Sequence, residues 1–114
     1  MFDSISISVV IPCFNEEAYV GRTIKTLPDF VDRVIVVDDA SKDGTSEVVE
    51  GCRDGRTVLI RHSRNQGVGA AIWTGYRESL RLGVDVAVVM AGDGQMDPGD
   101  LPALVSPIVE GNAD

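Results

Sequence analysis

The stretch MAGDGQMDP, Met90 to Pro98, leads from an apolar run straight into Asp93, Gln95 and Asp97, with Gly92 and Gly94 around the first aspartate. A carboxylate on a tight glycine-flanked turn can hold a divalent cation, and the glycines leave room for a diphosphate near the backbone. A cation bridging phosphate oxygens stabilises the charge that develops on a leaving phosphate, as a Lewis acid. Asp38 and Asp39 end another apolar run, and Glu16 and Glu17 follow the turn Pro12-Cys13-Phe14. Each of these groups also has a plainer reading. DDASKDG can simply cap a turn, Glu16 and Glu17 can be partners of a helix dipole, and Asp97 before Pro98 reads as a helix start. Trp73 reads as helix packing and Arg64 as a surface cation.

The elements that must position these residues alternate. Ile5 to Ile11 is a β-branched run and reads as a first strand. Asn15 is placed to cap a helix with Glu16 and Glu17 in its first turn. Val20, Ile24 and Leu27 continue it at helical spacing to Pro28. Val34 to Val37 reads as a second strand, Glu47 to Cys52 as a second helix and Thr57 to Ile60 as a third strand. NQGVGAAIWTGYRESLRLG reads as a third helix with Gly83 as its stop. Asp85 to Met90 is then a fourth strand and Pro98 to Val109 a fourth helix. Strands alternating with helices imply a parallel sheet with right-handed crossovers, and continuous apolar strands imply cover on both faces. The expected strand order is 3-2-1-4. In such sheets ligands bind at the carboxyl ends of the strands. PCFNEE, DDASKDG, HSRNQG and AGDGQMD should therefore share one rim.

Composition narrows the classes. With 114 residues and 44% hydrophobic content the chain is one globular α/β domain at most. A net charge of −8 disfavours nucleic acid as a partner. No apolar run reaches the ~18–20 residues of a membrane helix, and the N-terminus lacks a basic signal-peptide start. A cytoplasmic chain without a membrane segment is expected. Cys13 and Cys52 stand in no metal-ligand spacing and read as free thiols. His62 has no histidine partner and reads as a surface or strand-end residue rather than a ligand.

Among nucleotide folds, a dinucleotide site needs a glycine-rich turn after the first strand, and PCFNEE has no glycine. Gly67 and Gly69 form a partial G-x-G only after the third strand. No G-x-x-x-x-G-K-[ST] phosphate loop exists. A phosphate-receiver module would need its acidic pair after the first strand, but here the pair follows the second.

SVVIPCFNEE, VIVVDDASKDGT, NQGVGAA and VMAGDGQMDP, in this order, resemble family 2 glycosyltransferases of the GT-A fold. The branch of polyprenyl-phosphate mannosyl- and glucosyltransferases is the most similar. The resemblance covers nearly the whole chain, and its strength lies in four motifs in order. It implies a Rossmann-like parallel sheet and a nucleotide-sugar donor. The acceptor would be a lipid phosphate or glycan, and Mg²⁺ or Mn²⁺ would assist an inverting transfer. It implies that Pro12, Phe14 and Glu16 line the nucleotide pocket and that Asp39, with Asp38 beside it, meets the base or ribose. Gly67 to Ala70, including Gly69, would lie near the diphosphate, with Asp93 and Gln95 at the metal. The usual D-A-D-G-Q is here Ala91-Gly92-Asp93-Gly94-Gln95, so the first carboxylate is absent. One or two carboxylates plus substrate phosphates suffice for Mg²⁺. Residues 1–114 are expected to be the donor-binding part of a larger domain, inactive alone, with the general base beyond Asp114. Segments there would bring the protein to the inner face of the membrane. The rival expectation is a nucleotide- or partner-binding module without turnover.

Overall fold

The computed structural model describes residues 5–52 and 54–90. Four strands form one parallel sheet in the order β3-β2-β1-β4, as expected from the sequence. β1 is Ile7–Cys13, β2 Arg33–Asp38, β3 Thr57–Arg61 and β4 Val86–Val89. The helices are α1 Val20–Lys25, α2 Thr45–Cys52 and α3 Val68–Arg81. The helix expected over Pro98 to Val109 lies outside the described residues.

Alternation along the strands sends side chains to two cores. Ile7, Val9, Ile11, Val34, Val36, Val86 and Val88 point to the face covered by α1 and α2, where they meet Val20, Ile24 and Val49. Val10, Ile35 and Val37 point to the other face and meet Ala71 of α3. Fully burying one such valine contributes ~1.5–3 kcal/mol. α3 turns only small residues, Ala71, Gly75 and Ser79, to the sheet. A Cβ on Gly75 would stand 2.2 Å from a methyl of Val10, so helix and strand are in direct backbone-to-side-chain contact. Ser79 donates to the Gly75 carbonyl at 3.0 Å and shares a 2.7 Å hydrogen bond with Ser8 of β1, which satisfies both buried hydroxyls.

Three boundaries differ from expectation for physical reasons. β1 runs on to Cys13 through Pro12, although proline cannot donate to a ladder. Met90 N–H donates to Val10 C=O on the β4 side and Asp39 N–H to Cys13 C=O on the β2 side. Pro12 therefore faces the β4 side, where the pairing has already ended at Val10 with Val89. Its missing N–H therefore costs the β1–β2 ladder no bond. Asn15 does not cap α1, which begins only at Val20. Its φ of 54° is left-handed, and its side-chain oxygen accepts the Lys42 N–H at 2.9 Å instead. α2 begins two residues before Glu47, at Thr45, because the Asp43 carboxylate accepts the Thr45 N–H at 2.9 Å. At the opposite edge of the sheet, Arg56 donates to the carbonyls of Pro28 at 2.8 Å, Val31 at 3.0 Å and Leu27 at 3.2 Å, which ties down the chain after α1.

Candidate nucleotide pocket at the carboxyl edge of the sheet

Because every pairing is parallel, the segments after β1, β2 and β3 lie at one edge. The first is anchored to the second by short polar side chains. Asn15 N–H donates to Ser41 Oγ at 2.8 Å, Glu16 N–H to Thr45 Oγ1 at 2.9 Å, and Gly44 N–H to the Glu17 carboxylate at 3.0 Å. Glu17 thus serves the loop after β2 rather than a helix dipole.

The two adjacent aspartates at the end of β2 have separate surroundings. Asp38 has no exposed surface. Its Oδ1 accepts the Ser41 N–H at 2.9 Å, and its Oδ2 accepts the Ser46 hydroxyl. This carboxylate holds the loop to the start of α2. Asp39 turns the other way. Its Oδ1 accepts the Gln66 N–H at 2.9 Å and its Oδ2 the Gly67 N–H at 2.8 Å, both just ahead of α3. His62 Nδ1 lies 2.8 Å from the same Oδ1, and His62 Nε2 lies 2.8 Å from Thr74 Oγ1. Burial pushes the Asp39 carboxyl up, but the hydrogen bonds from His62, Gln66 and Gly67 outweigh it and hold it below the ordinary carboxylate range. Gly67 has φ 98°, a left-handed conformation that glycine adopts without strain. That conformation turns its N–H to the carboxylate.

Pro12, Phe14, Glu16, Asp39 and Gly67 line one cavity of about 350 Å³. Five of the residues singled out in the sequence are thereby brought together. Asp38 lies behind the wall, and Gly69 is the second residue of α3, with open space around it. Asp93 and Gln95 lie outside the described residues. Phe14, 43% exposed, separates this cavity from a second of about 680 Å³, bordered by Lys42, Arg61 and Arg64. Arg64 is exposed, as expected of a surface cation, and borders this second cavity. Trp73 is exposed on α3 rather than packed. Cys13 borders the first cavity, and burial, with Glu16, Asp38 and Asp43 nearby, pushes its thiol far up, so it is no nucleophile at neutral pH. Among the described residues no three His, Cys, Asp or Glu side chains converge as a metal site.

His62 was not among the site residues expected from the sequence. It is a strand-end residue as expected, but its side chain is only 9% exposed and sits against Asp39. The available signal was its place directly after β3, on the rim where the other polar loops gather. Thr74, twelve residues on, carried none.

An open parallel sheet in this order, covered by helices, matches the GT-A fold of solved glycosyltransferases. The chain belongs to the family described as Glycosyl transferase family 2, whose model matches residues 8–114. It is 31% identical over 118 residues to the UDP-N-acetylglucosamine–dolichyl-phosphate N-acetylglucosaminyltransferase of Methanococcus voltae, covering 90% of this chain and 47% of that protein. It is 35% identical over 103 residues to the undecaprenyl-phosphate mannosyltransferase of Micrococcus luteus, covering 87% of this chain and 42% of the relative. The crystal structure of glucosyl-3-phosphoglycerate synthase from Mycobacterium tuberculosis, in complex with Mn²⁺, UDP and glucosyl-3-phosphoglycerate, superposes with a TM-score of 0.74. That match is 27% identical and covers 96% of this chain and 41% of that one. The chain thus spans less than half the length of these relatives.

Proposed function

We propose that this chain forms the donor-binding part of a glycosyltransferase that moves a sugar from a nucleoside diphosphate to a polyprenyl phosphate. The observation that carries the reading is the convergence of Pro12, Phe14, Glu16, Asp39 and Gly67 on one cavity at the carboxyl edge. Phe14 offers a flat face at the rim on which a base can stack. Asp39 has three donors on two oxygens, which leaves one lone-pair position on Oδ2 to accept from a base N–H or a ribose hydroxyl. Gly67 and Gly69, without side chains, let a diphosphate approach the start of α3. The chain's own contribution is thus to bind and orient the donor, so that the acceptor oxygen meets the sugar in line with the leaving phosphate.

A divalent cation, Mg²⁺ or Mn²⁺, would neutralise the leaving diphosphate when bound. The residues proposed to hold it are Asp93 and Gln95. Mn²⁺ in the mycobacterial synthase structure supports the cation. The lipid phosphates in the names of two relatives support the acceptor class, and such an acceptor would bring the protein to a membrane surface. Among the described residues no helix is long and apolar enough to cross one. Uridine in the names of two relatives makes UDP the first probe.

Calorimetric titration with UDP, with and without Mn²⁺, tests the reading. Asp39→Ala should weaken UDP binding by ~1–3 kcal/mol, the cost of losing a charge-assisted hydrogen bond. Glu47→Ala, on α2, should leave it unchanged. Equal losses in both variants would place the nucleotide elsewhere, and no binding of UDP or GDP by the unsubstituted chain would refute the donor pocket.

A further inference from the structure

We propose that His62 is the positioning residue of this pocket: held by Thr74 on one side, it fixes the Asp39 carboxylate that grips the entry to α3. The inference rests on the donor-pocket reading for its consequence, but its geometry stands without any ligand. His62 leaves the end of β3 with its own N–H donating to the Asp38 carbonyl at 2.9 Å, which sets its backbone beside β2. Thr74 Oγ1 lies 3.0 Å from the Ala70 carbonyl, one turn back on α3, and its single proton goes to His62 Nε2 when Nδ1 carries the ring proton. The imidazole spans the gap between that oxygen and Asp39 Oδ1, at 2.8 Å from each. Facing an ionised carboxylate, Nδ1 must carry its proton and donate.

Without this bond, Asp39 would be oriented by the two backbone N–H groups alone, and both belong to a loop that the carboxylate itself orders. The ring joins Asp39 to α3 by a route independent of that loop. The pocket needs Asp39 in one rotamer, with its free lone-pair position turned to the cavity. His62 supplies that restraint from behind the wall, and its part is to position the residue that meets the ligand.

The test is amide hydrogen exchange at Gln66 and Gly67 in the 114-residue chain, without ligand, beside UDP titration and thermal unfolding. His62→Leu should speed exchange at these two amides by about tenfold or more while the β1 and β2 amides stay protected. His62→Asn, whose amide nitrogen reaches the place of Nδ1, should restore most of the protection. UDP affinity should fall by about tenfold in the leucine variant and recover in the asparagine variant. A merely structural role would lower the melting temperature of both variants without this split. Unchanged exchange at Gln66 and Gly67 in His62→Leu, or no recovery with asparagine, would overturn the proposal. Should the leucine variant not fold, Thr74→Val serves by the same measure: faster exchange at both amides supports the proposal, and unchanged exchange overturns it. If UDP binds none of the proteins, the donor reading fails while exchange still decides the role of His62.

Discussion

At the scale of single residues, Asp38 and Asp39 show how neighbouring carboxylates divide. They are adjacent in sequence, and DDASKDG reads equally well as a turn or as a ligand site. The structure places one on each side of the β2 end. Asp38 satisfies Ser41 and Ser46 inside the protein, while Asp39 borders the cavity. Asp38→Ala would leave a buried N–H and a buried hydroxyl without their acceptor, at a cost of about 1–3 kcal/mol of stability. Urea unfolding should show that loss, and where the variant is folded its UDP affinity should stay within about twofold, well under the tenfold that 1.4 kcal/mol represents. A loss of affinity as large as in Asp39→Ala, with stability intact, would reverse the two roles. The sequence could not make this division, because it depends on which way successive side chains leave a strand end. It also hid His62 and Thr74, whose meeting depends on the placement of α3 over the sheet.

At the scale of elements, much was legible: four apolar runs, three helical periods and strand order follow from pattern and crossover handedness. The boundaries that moved did so where a tertiary partner outbid a local preference. Asn15 has the chemistry of a cap, yet the Lys42 N–H, 27 residues away, takes its side chain. Pro12 reads as a strand stop, yet its ring nitrogen faces away from β2, with which β1 stays paired through Cys13. α3 offers a sharper test of packing. Glycine to alanine in a helix interior gains up to ~1 kcal/mol in propensity. At Gly75 the added Cβ would stand 2.2 Å from a Val10 methyl, deep between helix and sheet, and overpacking of this kind costs ~1–3 kcal/mol or more. Gly75→Ala should therefore be destabilising by denaturant titration, and Val10→Ala in the same chain should recover part of the loss. Gly51→Ala in α2, with nothing within 4 Å, should be neutral or stabilising. A stabilising Gly75→Ala would mean that α3 rides further from the sheet.

At the scale of the whole molecule, charge gives opposing forces. The chain carries a net −8, so mild acid relieves repulsion. Against this, several carboxyls lie below their ordinary range in the folded state. Asp39 does so despite burial, through His62, Gln66 and Gly67; Asp54 through the Thr57 hydroxyl; Glu78 through Arg81. Groups lowered on folding bind protons more readily in the unfolded chain. Their stabilisation is complete above the ordinary carboxyl values, near pH ~4, and is lost as pH falls through the folded values. Urea midpoints should therefore drop between pH 5 and 3, and less steeply in Asp39→Asn. A midpoint that rises on acidification would show that relief of repulsion wins. The central place of β1 bears on how the molecule is made. Its β4 edge is filled by a strand whose first contacts, Ser6 to Asp85, span 79 positions. At ~5–20 residues per second of synthesis, the nascent chain waits on the order of 4–16 s between making one partner and the other. For that interval one edge of this central strand is a bare template, and a chaperone on the ribosome has that edge to shield.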